Sequence, residues 1–158
     1  MRVFLGCDHA GFELKEHLVS WLKENGHEAV DCGAFEYDAA DDYPPFVLRA
    51  AERTAAEPGT IGVVIGGSGN GEAIAANKVK GVRAALVWSD ATATLAREHN
   101  DANVISIGAR QHDMDTATRF VKLFIETAYS GEPRHTRRIE MLGDYERTGQ
   151  LPPLPGEG

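Results

Sequence analysis

The sequence predicts an α/β fold in which a five-stranded parallel sheet lies between layers of helices. Three observations lead to this prediction. Short apolar runs alternate with amphipathic segments along the 158 residues, the clearest runs are apolar on both faces, and no internal repeat or linker divides the chain. Strands that alternate with helices pair in parallel, and strands apolar on both faces are covered on both sides. We therefore expect a single domain over residues 1–148, followed by a Pro-rich tail over 149–158.

Five apolar runs are predicted as strands, over residues 3–7, 27–32, 61–65, 84–88 and 104–108. The third run reads Ile-Gly-Val-Val-Ile, and its β-branched side chains favour a strand. The second run is weaker. It is followed by an acidic, irregular stretch over 33–43, which is expected to form a surface loop.

The amphipathic segments are predicted as helices, over residues 12–25, 44–56, 72–78, 91–99, 114–129 and 134–148. In the first, Leu14, Leu18 and Leu22 recur every fourth residue, and Gly26 follows as a stop signal. The second opens at Pro44, because proline is tolerated in the first turn of a helix.

Composition excludes several classes of function. The net charge is −8, which argues against nucleic acid as a partner. No apolar run approaches the roughly 20 residues that span a membrane, and the first residues do not resemble a secretion signal. The two cysteines, Cys7 and Cys32, form neither a disulfide framework nor a metal motif. They indicate buried thiols in a reducing cytoplasm.

Ligands of parallel sheets bind beyond the carboxyl ends of the strands. This rule selects the segments that directly follow predicted strands, which are residues 7–9, 66–71, 89–90 and 108–110. In the first of these, Asp8 either caps the following helix or works with His9 as an acid–base and phosphate-binding pair. No pair of histidines has the spacing of metal ligands, so no metal site is predicted.

Residues 66–71 read Gly-Gly-Ser-Gly-Asn-Gly and join a predicted strand to a helix. Such a loop either makes a tight connection or presents backbone N–H groups to an anion. The dinucleotide fingerprint fails because Glu72 stands where its last glycine belongs, and the P-loop fails because Lys-Ser/Thr is absent. Glu72 is either an acid favoured by the helix dipole or a general base beside N–H donors, which is the arrangement that enolisation needs.

Basic residues gather at the start of the last predicted helix, where Arg134, His135, Arg137 and Arg138 fall within five residues. They form either a solvated face or a phosphate clamp, because guanidinium groups match phosphate oxygens. The helix could pack on a second subunit and bring the clamp to the glycine loop there. His99 ends the fourth predicted helix, where the helix dipole alone favours a histidine.

Five motifs follow one another along the chain. They are Asp-His-Ala-Gly at 8–11, Asp-Tyr-Pro at 42–44, the glycine loop with its helix at 66–78, Arg-Glu-His-Asn at 97–100, and Arg-His-x-Arg-Arg at 134–138. Through them the chain closely resembles the ribose-5-phosphate isomerase B (RpiB/LacAB) family of sugar-phosphate isomerases over about residues 2–147.

The resemblance implies a Rossmann-like three-layer α/β/α fold and an aldose–ketose isomerase. The reaction it implies interconverts ribose 5-phosphate and ribulose 5-phosphate through a cis-enediol, in the pentose phosphate pathway, without a metal or other cofactor. It also implies a homodimer or a dimer of dimers, with the helix over 134–148 at the interface and active sites between subunits.

The resemblance further assigns roles to individual residues. Asp8 and His99 resemble the groups that open the sugar ring, and Asn100 resembles a residue that hydrogen-bonds the sugar. The loop whose N–H groups stabilise the enediolate corresponds to Gly67, Ser68, Gly69, Asn70 and Gly71, with Ser68 near the transferring oxygens. The phosphate contacts correspond to His9, Arg110, Arg134, His135 and Arg138, some of them from the partner chain.

One departure concerns the C–H base. Many members of the family carry a cysteine just before the glycine loop, whereas this chain has Gly66 there. A smaller, actinobacterial branch lacks that cysteine and has a glutamate at the start of the next helix, and Glu72 matches it. Neither Cys7 nor Cys32 lies in the loop to replace that cysteine, and the resemblance to this branch implies that Glu72 is the base.

Two other functions stay open at this point. The first is an isomerase of a six-carbon sugar phosphate of the galactose or allose 6-phosphate type, which needs a longer distance from loop to clamp. The second is a non-catalytic module that binds a phosphate ligand on the same scaffold, since fold alone does not fix function.

Overall fold

The computed structural model describes residues 1–157, in which five strands form one parallel sheet. The strands are β1 (Arg2–Cys7), β2 (Glu28–Asp31), β3 (Ile61–Gly66), β4 (Ala84–Leu86) and β5 (Val104–Gly108). Their order across the sheet is β2-β1-β3-β5-β4, and every neighbouring pair is parallel. The predicted five-stranded parallel sheet is therefore confirmed.

Six α-helices surround the sheet: α1 (Phe12–Glu24), α2 (Pro44–Ala56), α3 (Asn70–Ala76), α4 (Asp90–Asn100), α5 (Met114–Glu126) and α6 (Pro133–Thr148). Buried side chains of α1, α4 and α5 form one apolar cluster with one face of the sheet. Those of α2 and α3 form a second cluster with the other face. The two clusters establish the three-layer α/β/α architecture that the resemblance implied.

Several element boundaries differ from the prediction, most importantly around the glycine loop. β3 continues to Gly66, because this residue pairs with Gly108 of β5. α3 begins at Asn70, and its first backbone bond runs from the N–H of Ala73 to the carbonyl of Gly69. The predicted loop over 66–71 is thus shortened to 67–69, and the helix starts two residues before the predicted position 72.

Other ends also differ. β4 ends at Leu86 rather than at residue 88. α5 ends at Glu126 rather than at residue 129. The next residue, Thr127, adopts an extended conformation, and its hydroxyl donates a hydrogen bond to the Leu123 carbonyl. An unpredicted 3-10 turn (His9–Gly11) precedes α1.

The chain order creates a crevice at the carboxyl edge of the sheet. From β1 the chain moves outward to β2 and then crosses to β3 on the other side of β1. Such a switch point is where ligands bind in open α/β sheets. Asp8 and Gly67 leave the sheet at this point, from the ends of β1 and β3.

α6 lies at the opposite, amino-terminal side of the sheet. It packs against α4, and Glu146 in its last turns accepts a hydrogen bond of 3.0 Å from the N–H of Gly81, just before β4. Residues 149–157 continue from α6 as an exposed segment without a helix or strand. Within residues 1–157, none of the helices combines the length and the apolar character needed to span a membrane.

Candidate active site

The carboxyl edge of the sheet collects the first group of predicted site residues. Asp8 directly follows β1 and is buried; its Oδ1 accepts a hydrogen bond of 2.9 Å from the N–H of Ala10 and so caps the 3-10 turn. The capping role proposed from sequence is therefore present. It leaves the other carboxylate oxygen of Asp8 available for chemistry.

The glycine loop is fixed by its carbonyl groups. The carbonyls of Gly66 and Gly67 accept bonds of 2.8 and 3.1 Å from the N–H groups of Ala109 and Arg110. The Gly69 carbonyl accepts a bond of 2.7 Å from the buried Ser106 hydroxyl. Gly69 itself has a φ of 84°, a conformation that disfavours any side chain. Anchored through its carbonyls, the loop is a rigid source of backbone N–H donors.

Within this loop, Ser68 and Asn70 interact with each other. The Oγ of Ser68 accepts a hydrogen bond of 3.2 Å from the N–H of Asn70. Both side chains are exposed, so they can meet a ligand above the loop.

Glu72 lies in the first turn of α3 and is only 4% exposed. Its carboxylate rests against the backbone of Gly66: a Cβ placed on Gly66 would lie 1.8 Å from Oε1 and 2.1 Å from Cδ. The carboxylate therefore occupies the space that a side chain at position 66 would need. The sequence alone contained no sign of this contact.

The environment of Glu72 makes its carboxylate more basic. Burial raises the pKa of Glu72, backbone N–H groups of Glu72 and Gly69 oppose this rise by hydrogen bonding, and the charge of Asp8 adds to it. A buried carboxylate with a raised pKa beside backbone donors has the properties of a general base.

Two further side chains border the glycine loop. The Nη1 of Arg110 would lie 3.2 Å from a Cβ placed on Gly67, and the Tyr43 hydroxyl would lie 2.6 Å from a Cβ placed on Gly71. Arg110 was selected by the strand-end rule. Tyr43 was not, and its only signal was its position in the Asp-Tyr-Pro motif.

His9 has a partner that the sequence analysis also missed. The Oδ1 of Asp41 lies 2.7 Å from His9 Nδ1 and accepts a second bond of 2.9 Å from the His9 backbone N–H. Asp8, His9 and Asp41 bring one ligand-type atom each within 4.8 Å of one another. No spacing in the sequence pointed to this contact, because the loop over 33–43 is irregular.

The second group of predicted site residues gathers around the end of α4 and the start of α6. The rings of His99 and His135 stack with centroids 4.2 Å apart. His135 is 4% exposed, and its Nδ1 lies 3.0 Å from the Ser130 hydroxyl. Burial and the neighbouring charges of His99 and Arg134 lower the pKa of His135. Asn100, Arg134 and Arg138 are exposed beside this pair.

The two groups lie at opposite edges of the sheet. α4 starts after the carboxyl end of β4 and ends before the amino end of β5, so it returns His99 to the amino edge. A five-residue strand such as β5 separates the edges by roughly 16 Å. One chain therefore brings together Asp8, His9, residues 67–71, Glu72 and Arg110, but it does not bring His99, Asn100, Arg134, His135 and Arg138 to them.

Comparison with known proteins shows which family the chain resembles. A model of the Ribose/Galactose Isomerase family matches residues 3–142. The ribose-5-phosphate isomerase B of Mycolicibacterium paratuberculosis is 58% identical over 156 residues, which cover 99% of this chain and 98% of the relative. The protein of that name from Mycobacterium tuberculosis is also 58% identical over 156 residues, covering 99% and 96%.

Solved structures agree with the sequence relatives. Ribose-5-phosphate isomerase B from Mycoplasma genitalium, with bound ribulose 5-phosphate, matches with a TM-score of 0.90 at 38% identity, over 93% of this chain and 97% of that one. The Clostridium thermocellum protein matches with a TM-score of 0.90 at 37% identity, over 95% and 100%.

Proposed function

This chain belongs to the ribose/galactose isomerase family, and we propose that it interconverts D-ribose 5-phosphate and D-ribulose 5-phosphate with Glu72 as the C–H base. One observation carries the choice of base. The buried carboxylate of Glu72 fills the space beside Gly66, at the position before the glycine loop where many members of the family have a catalytic cysteine.

The chemistry follows from this position. Glu72 takes the proton from C2 of the open aldose, and the cis-enediol that results is reprotonated at C1 by the same carboxyl group. A base works best when its pKa approaches the working pH, and burial raises the pKa of Glu72 in that direction. The N–H groups of residues 67–71 stabilise the enediolate oxygens, and Ser68 lies beside them.

Asp8 and His99 open the sugar ring before the proton transfer. Asp8 is buried at the same edge as Glu72, whereas His99 lies at the other edge of the chain. Both reach one substrate only if His99 comes from a second copy.

We therefore propose a homodimer in which the carboxyl edge of one chain faces the amino edge of its partner, with α6 at the interface. His9 and Arg110 at the carboxyl edge then meet Arg134 and Arg138 from the partner around one phosphate group. Arg134 and Arg138 are exposed, and although the Nε of Arg134 donates to Glu132 at 2.8 Å, the other guanidinium nitrogens of an exposed arginine suit such a role. Two free, buried thiols suit a protein that works in the reducing cytoplasm.

The base is tested by ketose formation from ribose 5-phosphate with wild type, Glu72→Gln and Glu52→Gln. Glu52 is an exposed residue of α2 and serves as the matched control. We expect Glu72→Gln to lower kcat by at least about 100-fold, the usual contribution of a general base. Activity should resist EDTA. No turnover by the wild type would contradict the reaction, and wild-type kcat in a folded Glu72→Gln variant would contradict the base.

The shared site is tested by mixing two inactive variants. In a dimer of Glu72→Gln and His99→Asn chains, one site carries both substitutions and the other carries neither. Because random exchange makes half of the dimers mixed, activity should recover to about 25% of wild type. The control mixes Glu72→Gln with Asp8→Asn. Both residues lie at one edge, so no mixed site is intact and no activity should return. Equal results for the two mixtures would contradict the dimeric site.

A further inference from the structure

The acidic loop over 33–43 has no part in the reaction described so far, yet it contacts His9, a residue proposed to bind the substrate phosphate. Asp41 is 10% exposed at its side chain and His9 is 23% exposed. The Oδ1 of Asp41 accepts both donors that His9 offers on that side, the backbone N–H at 2.9 Å and the ring Nδ1 at 2.7 Å. The backbone bond fixes where the residue lies, and the ring bond fixes how the imidazole is turned.

These contacts determine which nitrogen of His9 faces the ligand. An ionised carboxylate has only acceptor sites, so Nδ1 must carry a hydrogen. Nε2 is then the ring nitrogen left for a substrate. The Tyr37 ring meets the His9 ring edge to face, with centroids 6.3 Å apart and planes at 88°. This second contact also comes from the acidic loop.

The loop itself is anchored to the body of the protein. Lys15, a fully buried residue of α1, pairs with the Asp31 carboxylate at 2.9 Å and donates to the carbonyl of Ala34. Nearer to His9, the N–H of Asp41 bonds to the Asp38 carbonyl at 3.1 Å. The loop is thus anchored at Ala34, runs through exposed residues 35–40 as the predicted surface loop, and closes in a turn that places Asp41 against His9.

We propose that Asp41 is a positioning residue, which holds His9 with Nδ1 protonated and Nε2 available to the substrate phosphate. The inference rests on the proposed function, in which His9 contacts that phosphate. A phosphate dianion only accepts hydrogen bonds, so Nε2 has to donate when it binds. Nε2 takes this hydrogen from water or from the monoanion form of the phosphate on binding, and the Asp41 carboxylate balances the charge of the ring that then donates from both nitrogens.

Kinetics of Asp41 variants provide the first test. We expect Asp41→Ala to raise KM for ribose 5-phosphate, and the inhibition constant of inorganic phosphate, by about tenfold. This is the lower end of the loss caused by removing the carboxylate behind a metal-bound histidine, whose orientation depends on the same kind of hydrogen bond. Because Glu72 is untouched, kcat should stay within about twofold. Asp41→Asn keeps an acceptor oxygen without the charge and should fall between wild type and Asp41→Ala. Glu36→Gln removes one charge from the same loop at an exposed position and should behave as wild type.

A double-substitution cycle separates positioning from general damage. If Asp41 acts through His9, adding Asp41→Ala to His9→Ala should cause no further rise in KM. A full additional tenfold loss in that background, or an unchanged KM in Asp41→Ala itself, would overturn the inference.

A spectroscopic measurement keeps the test independent of turnover. The measurement is a long-range ¹H–¹⁵N correlation spectrum of protein labelled with ¹⁵N at its six histidines. The His9 signals are assigned by their absence from the spectrum of His9→Ala. They should show a protonated Nδ1 in wild type and in Asp41→Asn. In Asp41→Ala this preference should be lost. An unchanged His9 signature in Asp41→Ala overturns the positioning role even if the isomerase reaction holds. If the wild type does not turn over ribose 5-phosphate, the proposed function fails, while this signature still tests Asp41.

Discussion

Replacing Gly66 by alanine is the sharpest perturbation of the site, because it adds one methyl group where the Glu72 carboxylate lies. The new Cβ would stand 1.8 Å from Oε1 and 2.5 Å from Oε2. Non-bonded heavy atoms settle at about 3.5 Å, so Oε1 has to move by about 1.7 Å. The colliding atoms belong to the end of a flexible side chain and not to the backbone, so the side chain can yield while the fold persists.

The magnitude follows from this displacement. A misplacement of about 1 Å in a reacting group can cost about 100-fold in rate, which corresponds to about 2.7 kcal/mol of transition-state stabilisation. We therefore expect Gly66→Ala to lower kcat by at least about 100-fold. Overpacking costs about 1–3 kcal/mol in general, and a movable partner such as Glu72 puts the loss of stability near about 1 kcal/mol.

Gly62→Ala is the matched control on the same strand. Its Cβ would stand 2.7 Å from Thr54 Oγ1 and 3.0 Å from a methyl group of Val104, so it overpacks β3 away from Glu72. We expect it to lose about 1–3 kcal/mol in urea unfolding with an unchanged kcat. The assays are ketose formation and urea unfolding of both variants. A Gly66→Ala protein with wild-type kcat, or a Gly62→Ala protein that loses kcat as strongly, would refute the assignment of the base.

Three further predictions follow from buried polar groups. Burial raises the pKa of Glu72 above its ordinary value of 4.5, so ionisation of its carboxyl group destabilises the folded state as pH rises past that value. In urea unfolding, Glu72→Gln should therefore be more stable than wild type at neutral pH, and this difference in stability should shrink toward pH 4.5. Lys15→Met should cost about 3 kcal/mol in the same assay, because it leaves the partly buried Asp31 carboxylate and the Ala34 carbonyl without their cation. Iodoacetamide should neither label the native protein nor inhibit it, since burial raises the pKa of Cys7 to about 11 and raises that of Cys32; inhibition would point to a thiol in the reaction.

The alternation of strands and helices could be predicted because it depends on local periodicity. The limits of the glycine loop could not, because they depend on a distant strand. Gly66 belongs to β3 only through its pairing with Gly108, some forty residues later. The path of residues 33–43 was also out of reach, because only its start at Ala34 is held by the buried Lys15 and the residues that follow are exposed and carry no periodic pattern. As a result, the contact of Asp41 with His9 appeared only in the structure.

The strand-end rule found Asp8, His9 and Arg110, since parallel strands deliver their carboxyl ends to one edge. The separation of His99 from this group was also within reach of the sequence. A helix that follows a strand in a parallel sheet must return to the amino edge before the next strand begins, so a residue at its end lies on the far side. The resemblance assigned His99 to ring opening, and its position at the far edge of the sheet is the reason that the proposed function takes it from a second chain.

Gly66 and Glu72 depend on each other. A side chain at position 66 and the carboxylate of Glu72 require the same volume, because the two would approach to 1.8 Å. A cysteine before the loop and a buried glutamate after it are thus alternative occupants of one position beside the N–H donors. The donors have to face the enediolate oxygens, and the base has to reach C1 and C2 on the same face of the sugar. If Glu72 is the base, as proposed, the backbone of the loop fixes where the proton moves, while the group that moves it can come from either end of the loop. Gly66→Cys alone should lower kcat for ketose formation, because its side chain collides with the Glu72 carboxylate. Activity should return only when Glu72 is shortened in the same chain, as in Gly66→Cys with Glu72→Ala.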